Sequence, residues 1–386
     1  MRTTFRGILA AIAMAALAAV LAAPACLAAD PSGAPVKNNG QKWRIGYYEG
    51  GEYIDYQKNF ISLLHGLRDL GWLDFAEVPP QQGEGVQELW KWLGTVKSDF
   101  LEFVPDACYS ANWDDATREA TRAALLERLS GRRDIDLMLA LGTWAGQDLA
   151  VDGHSVPCVV MATANPQTAG IIKSADDSGR DNIHARIAPE RFLQQVRVFH
   201  DVVGFKKIGV AYEDTPAGRT YAALDALEAL APELGYQIVT CHTKSDIADK
   251  AEAEASAIAC FRELATKADA IYVTVQGGVS ERSLPEVVKI ALDARIPTFS
   301  QNGSDEVRQG LLMSISLAGY KYVGQFYART VGQILGGTKP RALGQIFEDP
   351  PKIAINLKTA ELIQFDPPVD MLLAADEVFE QIEPAR

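Results

Sequence analysis

Short apolar runs alternate with longer stretches of helical period over most of this chain. Residues 43–48, 100–104, 135–141 and 156–162 read as strands, while 60–67, 117–129 and 144–151 carry apolar residues at helical spacing. A second series begins with a helix at 189–202 and a strand at 208–212. It continues as helix 217–233, strand 236–241, helix 250–267, strand 270–275, helix 284–294 and strand 297–300. Strands separated by helices in this way pair in parallel, with helices on both faces of the sheet. Two such series predict an α/β chain of two Rossmann-like lobes. Residues 74–98 break the rhythm: Pro79-Pro80 is followed by Trp90 and Trp92, whose spacing sets them on different faces of a helix. This segment reads as a loop and a short helix added to the first lobe, either capping a cleft or packing on the surface.

The N-terminus follows a different pattern. Arg2 and Arg6 precede an uncharged run over 8–23, and 24–29 is short-chained and ends in Ala-Ala. That is the layout of a cleaved secretory signal, residues 1–29, with the cut after Ala29. An uncleaved anchor and a lipid on Cys26 are the other readings. Residues 30–41, rich in Pro, Gly and Asn, read as a disordered leader. Loss of Arg2 and Arg6 takes the formal charge from −13 to −15. A surface so acidic repels phosphate backbones and anionic lipid, which disfavours nucleic acid as a partner. Four cysteines lie beyond the signal. An oxidising compartment permits a disulfide between Cys241, at a strand end, and Cys260, on the following helix. The alternative is four buried small hydrophobes.

In parallel α/β sheets, ligands collect at the carboxyl ends of the strands. Read there, the chain offers Tyr47, Tyr48, Glu49 and Tyr53 around Gly50-Gly51, a loop suited to stacking a flat ligand. It offers Thr143, as the cap of a helix whose free amides could hold a carboxylate, with Trp144 as its cover. The remaining strand ends contribute Thr163 and Asn165, Tyr212 and Asp214, Gln276, and Ser300 and Asn302. No nucleophile elbow, phosphate loop or dinucleotide turn occurs, and Gly336-Gly337-Thr338-Lys339 reads as a helix stop before Pro340. No Cys/His spacing suits zinc, and no metal or cofactor is implied.

Several segments, in order, carry a resemblance. They are Leu141-Gly142-Thr143, Asn165-Pro166-Gln167-Thr168-Ala169-Gly170, Lys207-Ile208-Gly209-Val210-Ala211-Tyr212, Asp269-Ala270-Ile271-Tyr272-Val273, Ile334-Leu335-Gly336-Gly337-Thr338-Lys339-Pro340 and Asn356-Leu357-Lys358-Thr359-Ala360. Together they resemble the periplasmic substrate-binding proteins of ABC transporters, with the type I binding-protein fold, and more narrowly a branch linked to tryptophan and tyrosine uptake. The resemblance covers most of the chain after Trp43 except 74–98. It implies lobe 1 at 43–163 plus 314–340 and lobe 2 at 164–313 plus 341–386, with three crossovers and hinges at 163–165 and 314–318. It also implies a monomer in the periplasm that captures one small molecule, closes by hinge rotation and docks on an ABC permease with its ATPase. The chain departs from the family at Asn165, where many members carry Asp, and at Gln276-Gly277, where many carry Asp-Asn. An amino-acid ligand would then need Asp214, Glu49 or Glu213 to pair its ammonium, and a neutral or carboxylated aromatic ligand is the other reading. Two rival functions are a binding protein serving a sensor and an exported α/β enzyme.

Overall fold

β1 (Trp43–Glu49) is buried on both faces and lies at the heart of the first lobe. Its alternation sends Tyr47 into one cluster, against Phe60 and Trp90, and Tyr48 into the cluster on the other face. The molecule is seen in a computed structural model that describes residues 32–384, apart from 318, 349 and 350. The expected signal at 1–29 and Cys26 lie outside the described residues. Around β1, β2 (Leu101–Ser110), β3 (Leu137–Leu141), β4 (Cys158–Met161) and β5 (Ile183–Ala185) form an all-parallel sheet in the order β2-β1-β3-β4-β5.

The second sheet holds β6 (Lys207–Tyr212), β7 (Gln237–His242), β8 (Ala270–Val273), β9 (Thr298–Ser300), β10 (Met313–Leu317), β11 (Pro351–Asn356) and β12 (Glu377–Phe379). Its order is β12-β11-β10-β9-β8-β6-β7, parallel except between β10 and β11. Helix Tyr320–Leu335 returns to the first lobe and packs along helix Ile54–Asp69. The chain therefore passes between the lobes three times: after β5, after β10, and after helix Tyr320–Leu335.

Several expectations need correction. β5 joins the first sheet, so lobe 1 runs some twenty residues past the expected boundary at 163/164, and 163–165 is a loop within that lobe. Residues 314–317 belong to β10: all four pair with β11, and Ser314 also with β9. Three residues in β5 give little periodic signal, whereas Met-Ser-Ile-Ser-Leu in β10 alternates as a strand does. The helix expected over 217–233 is two helices, Pro216–Tyr221 and Leu224–Leu234, separated where Ala223 takes a left-handed φ of 54°.

The described part of the leader, from Ser32 to Gln41, is tied down. The Trp72 indole donates to the Gly33 carbonyl at 2.8 Å, the Trp43 indole donates to Val36 at 2.9 Å, and Asn38 bridges Gln41. Composition missed this because the anchor is the segment's backbone carbonyls, each satisfying an indole N–H supplied by the first lobe. In the segment 74–98, helix Gln87–Leu93 drives Trp90 between Tyr47, Phe60 and Phe103, while Trp92 meets Phe75. Cys241 and Cys260 are joined as a disulfide, with Cα atoms 5.5 Å apart. Cys108 and Cys158 are free. Among the described residues no helix is long and apolar enough to cross a membrane.

Candidate functional site

The carboxyl ends of the two sheets face each other across a cavity of about 270 Å³. That is the scale of a site for one small molecule. In the first lobe the wall follows strand after strand: Tyr53 after β1, Trp113 after β2, Thr143 after β3, Thr163 after β4 and Arg186 after β5. The second lobe contributes Tyr221, Asp246, Gln276, Gln301 and Gly319 beyond β6, β7, β8, β9 and β10.

One end of the cavity is aromatic. The Trp113 ring lies across the backbone of Gly50-Gly51, and a Cβ on Gly51 would sit 2.4 Å from the indole. Only glycine permits that approach. The Trp113 indole nitrogen donates to the Glu52 carbonyl at 3.1 Å, which fixes the ring. Trp144 meets it edge to face at 5.5 Å, and the Tyr56 ring lies 6.1 Å away. The Arg118 guanidinium stacks on Trp144 at 4.5 Å, held there by Asp148, which also accepts the Tyr48 hydroxyl at 2.7 Å. Helix Gly142–Leu149 starts at this wall. Gly142 has φ +86°, and a Cβ there would fall 1.9 Å from the Tyr56 hydroxyl.

Charged and polar groups line the same cavity. Among the described residues lining the cavity, five acids (Glu52, Asp55, Asp246, Asp305, Glu306) balance five bases (Lys58, Arg186, Arg191, Lys250, Lys352). The formal charges of the lining thus cancel in a strongly acidic chain. Asp246 forms no ion pair among the described residues. Its backbone N–H donates to Glu213 at 3.2 Å, and its carboxylate accepts from Ser245 at 3.3 Å. Loss of solvent, aided by the Glu213 charge, pushes this carboxyl up to about 7. Glu306 is raised too, first by burial, although Ser300 and Asn302 donate to it at 2.6 and 3.1 Å. Among the described residues lining the cavity, buried side-chain atoms without a hydrogen-bond partner include Arg191 Nε, Thr163 Oγ1 and Tyr221 Oη. At the rim, Lys250 of the second lobe pairs with Glu84 of the segment 74–98 and donates to the Glu52 carbonyl at 3.0 Å. The Gln57 amide holds the Glu84 loop through the Gly83 and Gly85 carbonyls.

Of the residues expected at the site, Tyr53, Thr143, Trp144, Thr163, Gln276 and Asn302 line the cavity. Thr143 does so from the first turn of its helix; Leu141 holds the cap position and no side chain caps it. Gln276 is saturated within its own lobe by Ala211, Thr274 and Thr243. The other seven lie elsewhere. Tyr47 donates to Glu49 at 2.6 Å, both buried beneath the aromatic wall, and Tyr48 serves Asp148. Asn165 accepts from the amides of Gln167 and Thr168 in its own turn. Tyr212 is buried against His242, Asp214 is exposed beside His242, and Ser300 supports Glu306. Glu49 and Asp214, two of the three acids expected to meet an ammonium, are therefore outside the cavity, as is Glu213, which bonds the Asp246 backbone. The residues missed are Tyr56, Trp113, Arg186, Arg191, Asp246 and Lys250. Asp246 follows a strand end by the same rule as the others, and applying that rule after residue 241 finds it.

A family model described as ABC transporter substrate binding protein matches residues 109–379. No curated protein matches the chain. Among solved structures, the chain is similar to an ABC domain from Streptococcus pneumoniae in complex with L-Trp, with 19% identity and a TM-score of 0.67 over 88% of this chain and 100% of that one. A conserved domain protein from Vibrio cholerae gives 19% identity and a TM-score of 0.65 over the same shares. A substrate-binding protein with adhesive properties from Clostridium difficile, in a ligand-free open structure, gives 19% and 0.55, again over 88% and 100%. At these identities the likeness shows the fold, two lobes of the type I binding-protein class.

Proposed function

This chain belongs to the family of ABC transporter substrate-binding proteins, and we propose that its cleft captures one aromatic α-amino acid. The observation that carries this reading is the set of unmatched groups lining the same cavity as the aromatic wall. Among the described residues Asp246 has no cation, while Arg191 Nε and Thr163 Oγ1 have no acceptor. Removing charged or polar groups from water is costly unless each finds a partner. A zwitterion supplies both at once: an ammonium for Asp246 and a carboxylate for the unmatched donors. The amides opening helix Gly142–Leu149 add positive potential for the same carboxylate.

The walls select the side chain. Trp113, Trp144 and Tyr56 offer ring faces and edges to a flat group. Arg118 already covers one face of Trp144, so the cation site on that ring is taken and a neutral, electron-rich ring fits better than a second cation. The L-Trp complex of the S. pneumoniae protein is consistent with this reading.

Capture would proceed by closure of the lobes about the three crossovers, with Lys250 meeting Glu84 as the rim closes. The closed monomer would then dock, in the periplasm, on a permease driven by its ATPase. The reading involves no bond made or broken. A thermal-shift series on refolded protein tests it with L-tryptophan, its amine alone (tryptamine) and its acid alone (indole-3-propionate). L-tryptophan at 100 times its dissociation constant should add about 2.7 kcal/mol, and neither single-charge analogue should approach that. Equal stabilisation by tryptamine or by the acid would refute the zwitterion.

A further inference from the structure

We propose that the Cys241–Cys260 disulfide is a positioning device for the second lobe's recognition loop, so that ligand affinity depends on the oxidised state. The proposal rests on the cleft being the ligand site and adds a determinant outside the cavity. The bond spans 19 residues, from β7 to helix Lys250–Leu264. Within that span lie Ser245, Asp246, Ile247, Lys250 and Ala253, all of which line the cavity. One clip therefore holds both ends of the segment that carries the unpaired carboxylate and the rim lysine.

β7 needs such a clip. It is an edge strand, hydrogen-bonded among the described strands only to β6. Its residues are exposed or half-buried throughout, whereas β8, β3 and β4 are buried along their length. Beyond Cys241 itself, only half-buried side chains, Ile238 and Val239, join it to the cores on its two faces. The helix is better anchored: Ala257, Cys260, Phe261 and Leu264 are buried. The disulfide passes that anchorage to β7 through Cys260, which is 3% exposed. On the cavity side, the loop is held by a few polar contacts: Thr243 to Gln276 at 2.7 Å, the Gly277 amide to Ser245 at 2.9 Å, the Asp246 amide to Glu213 at 3.2 Å, and the Lys250–Glu84 pair at the rim. Cross-linking removes open conformations of such a segment. Without it, Asp246 spends part of its time away from the position an ammonium would need, and apparent affinity falls by the competent fraction.

The test compares oxidised wild type with the Cys241→Ala/Cys260→Ala double variant, using hydrogen exchange and L-tryptophan titration. A second arm opens the bond in folded wild type with dithiothreitol. Two successive exchanges leave two cysteine thiols and the cyclic disulfide of the reagent. We expect amides 243–250 to exchange at least tenfold faster in both arms, while amides 137–149 of the first lobe keep their rates. The L-tryptophan dissociation constant should rise at least tenfold. Should the double variant fail to fold, the reduced wild type supplies the same comparison. Unchanged exchange over 243–250, or unchanged affinity with the bond open, overturns the proposal. Absence of L-tryptophan binding by the oxidised wild type instead removes the ligand reading, and the exchange data alone then judge the loop.

Discussion

Asp246→Asn separates two effects of one carboxylate. In the empty cleft this carboxyl is pushed up to about 7 by loss of solvent and by Glu213. In the unfolded chain an Asp titrates near 3.9. Between those values the folded protein keeps a proton that the unfolded chain has released. Stability therefore falls as pH rises from about 4 to about 7, and the full penalty stands above that. At about 1.4 kcal/mol per unit the ceiling is on the order of 4 kcal/mol; because Asp246 is only partly buried, about 1–3 kcal/mol is expected. The Asn variant escapes this penalty. Without ligand it should be more stable than wild type at pH 8 by about 1–3 kcal/mol and no different at pH 4. Binding should move the other way. A hydrogen bond between an ammonium and a carboxylate is worth about 1.5–3 kcal/mol, so affinity for L-tryptophan should fall about 10- to 150-fold. Wild-type affinity should rise with pH up to about 7, and the variant's should not. Denaturant unfolding at pH 4 and 8, with calorimetric titration between pH 5.5 and 8, measures both. A variant that binds L-tryptophan as tightly as wild type, or whose stability gain does not grow with pH, refutes the reasoning.

Three further outcomes follow from the packing. Gly142→Ala forces a Cβ into the Tyr56 hydroxyl at a left-handed φ, so it should destabilise the first lobe by about 1–3 kcal/mol and abolish L-tryptophan binding, read by denaturant unfolding and titration. Trp90→Ala empties a space between Tyr47, Phe60 and Phe103 and should cost about 3–5 kcal/mol by the same unfolding assay; an effect under 1 kcal/mol would make the segment 74–98 a surface addition. Glu84→Gln removes the partner of Lys250 across the rim. Ligand dissociation, followed by stopped flow, should accelerate about fivefold at low salt, worth about 1 kcal/mol, and the difference should shrink at high salt.

The alternating pattern disclosed the two-lobed α/β architecture because long helices and buried parallel strands both leave strong periodic signals. The lobe boundary was hidden by β5, which has three residues and pairs at the edge of the first sheet. The strand-end rule located the cleft but was applied one or two residues too early. Tyr47, Tyr48, Tyr212 and Ser300 belong to strands, where alternation points side chains into the cores above and below the sheet. Cleft residues begin just beyond the strand, as at Tyr53, Thr143, Thr163 and Gln276. Trp113 was lost because β2 continues to Ser110, well past the apolar run that ends at 104. Arg186 and Arg191 were lost with β5. The Glu84–Lys250 pair joins residues far apart in sequence, and only the closed arrangement of the lobes brings them together.

The central claim is that one aromatic amino acid is held as a zwitterion between the lobes. Calorimetric titration of refolded protein with L-tryptophan, L-tyrosine and L-phenylalanine at pH 7.5 tests it most directly. The account predicts saturable binding of at least one of them at one site per chain, lost in both Trp144→Ala and Asp246→Asn. A folded protein that gives no binding heat with any of the three, or binding that survives both substitutions, would contradict it.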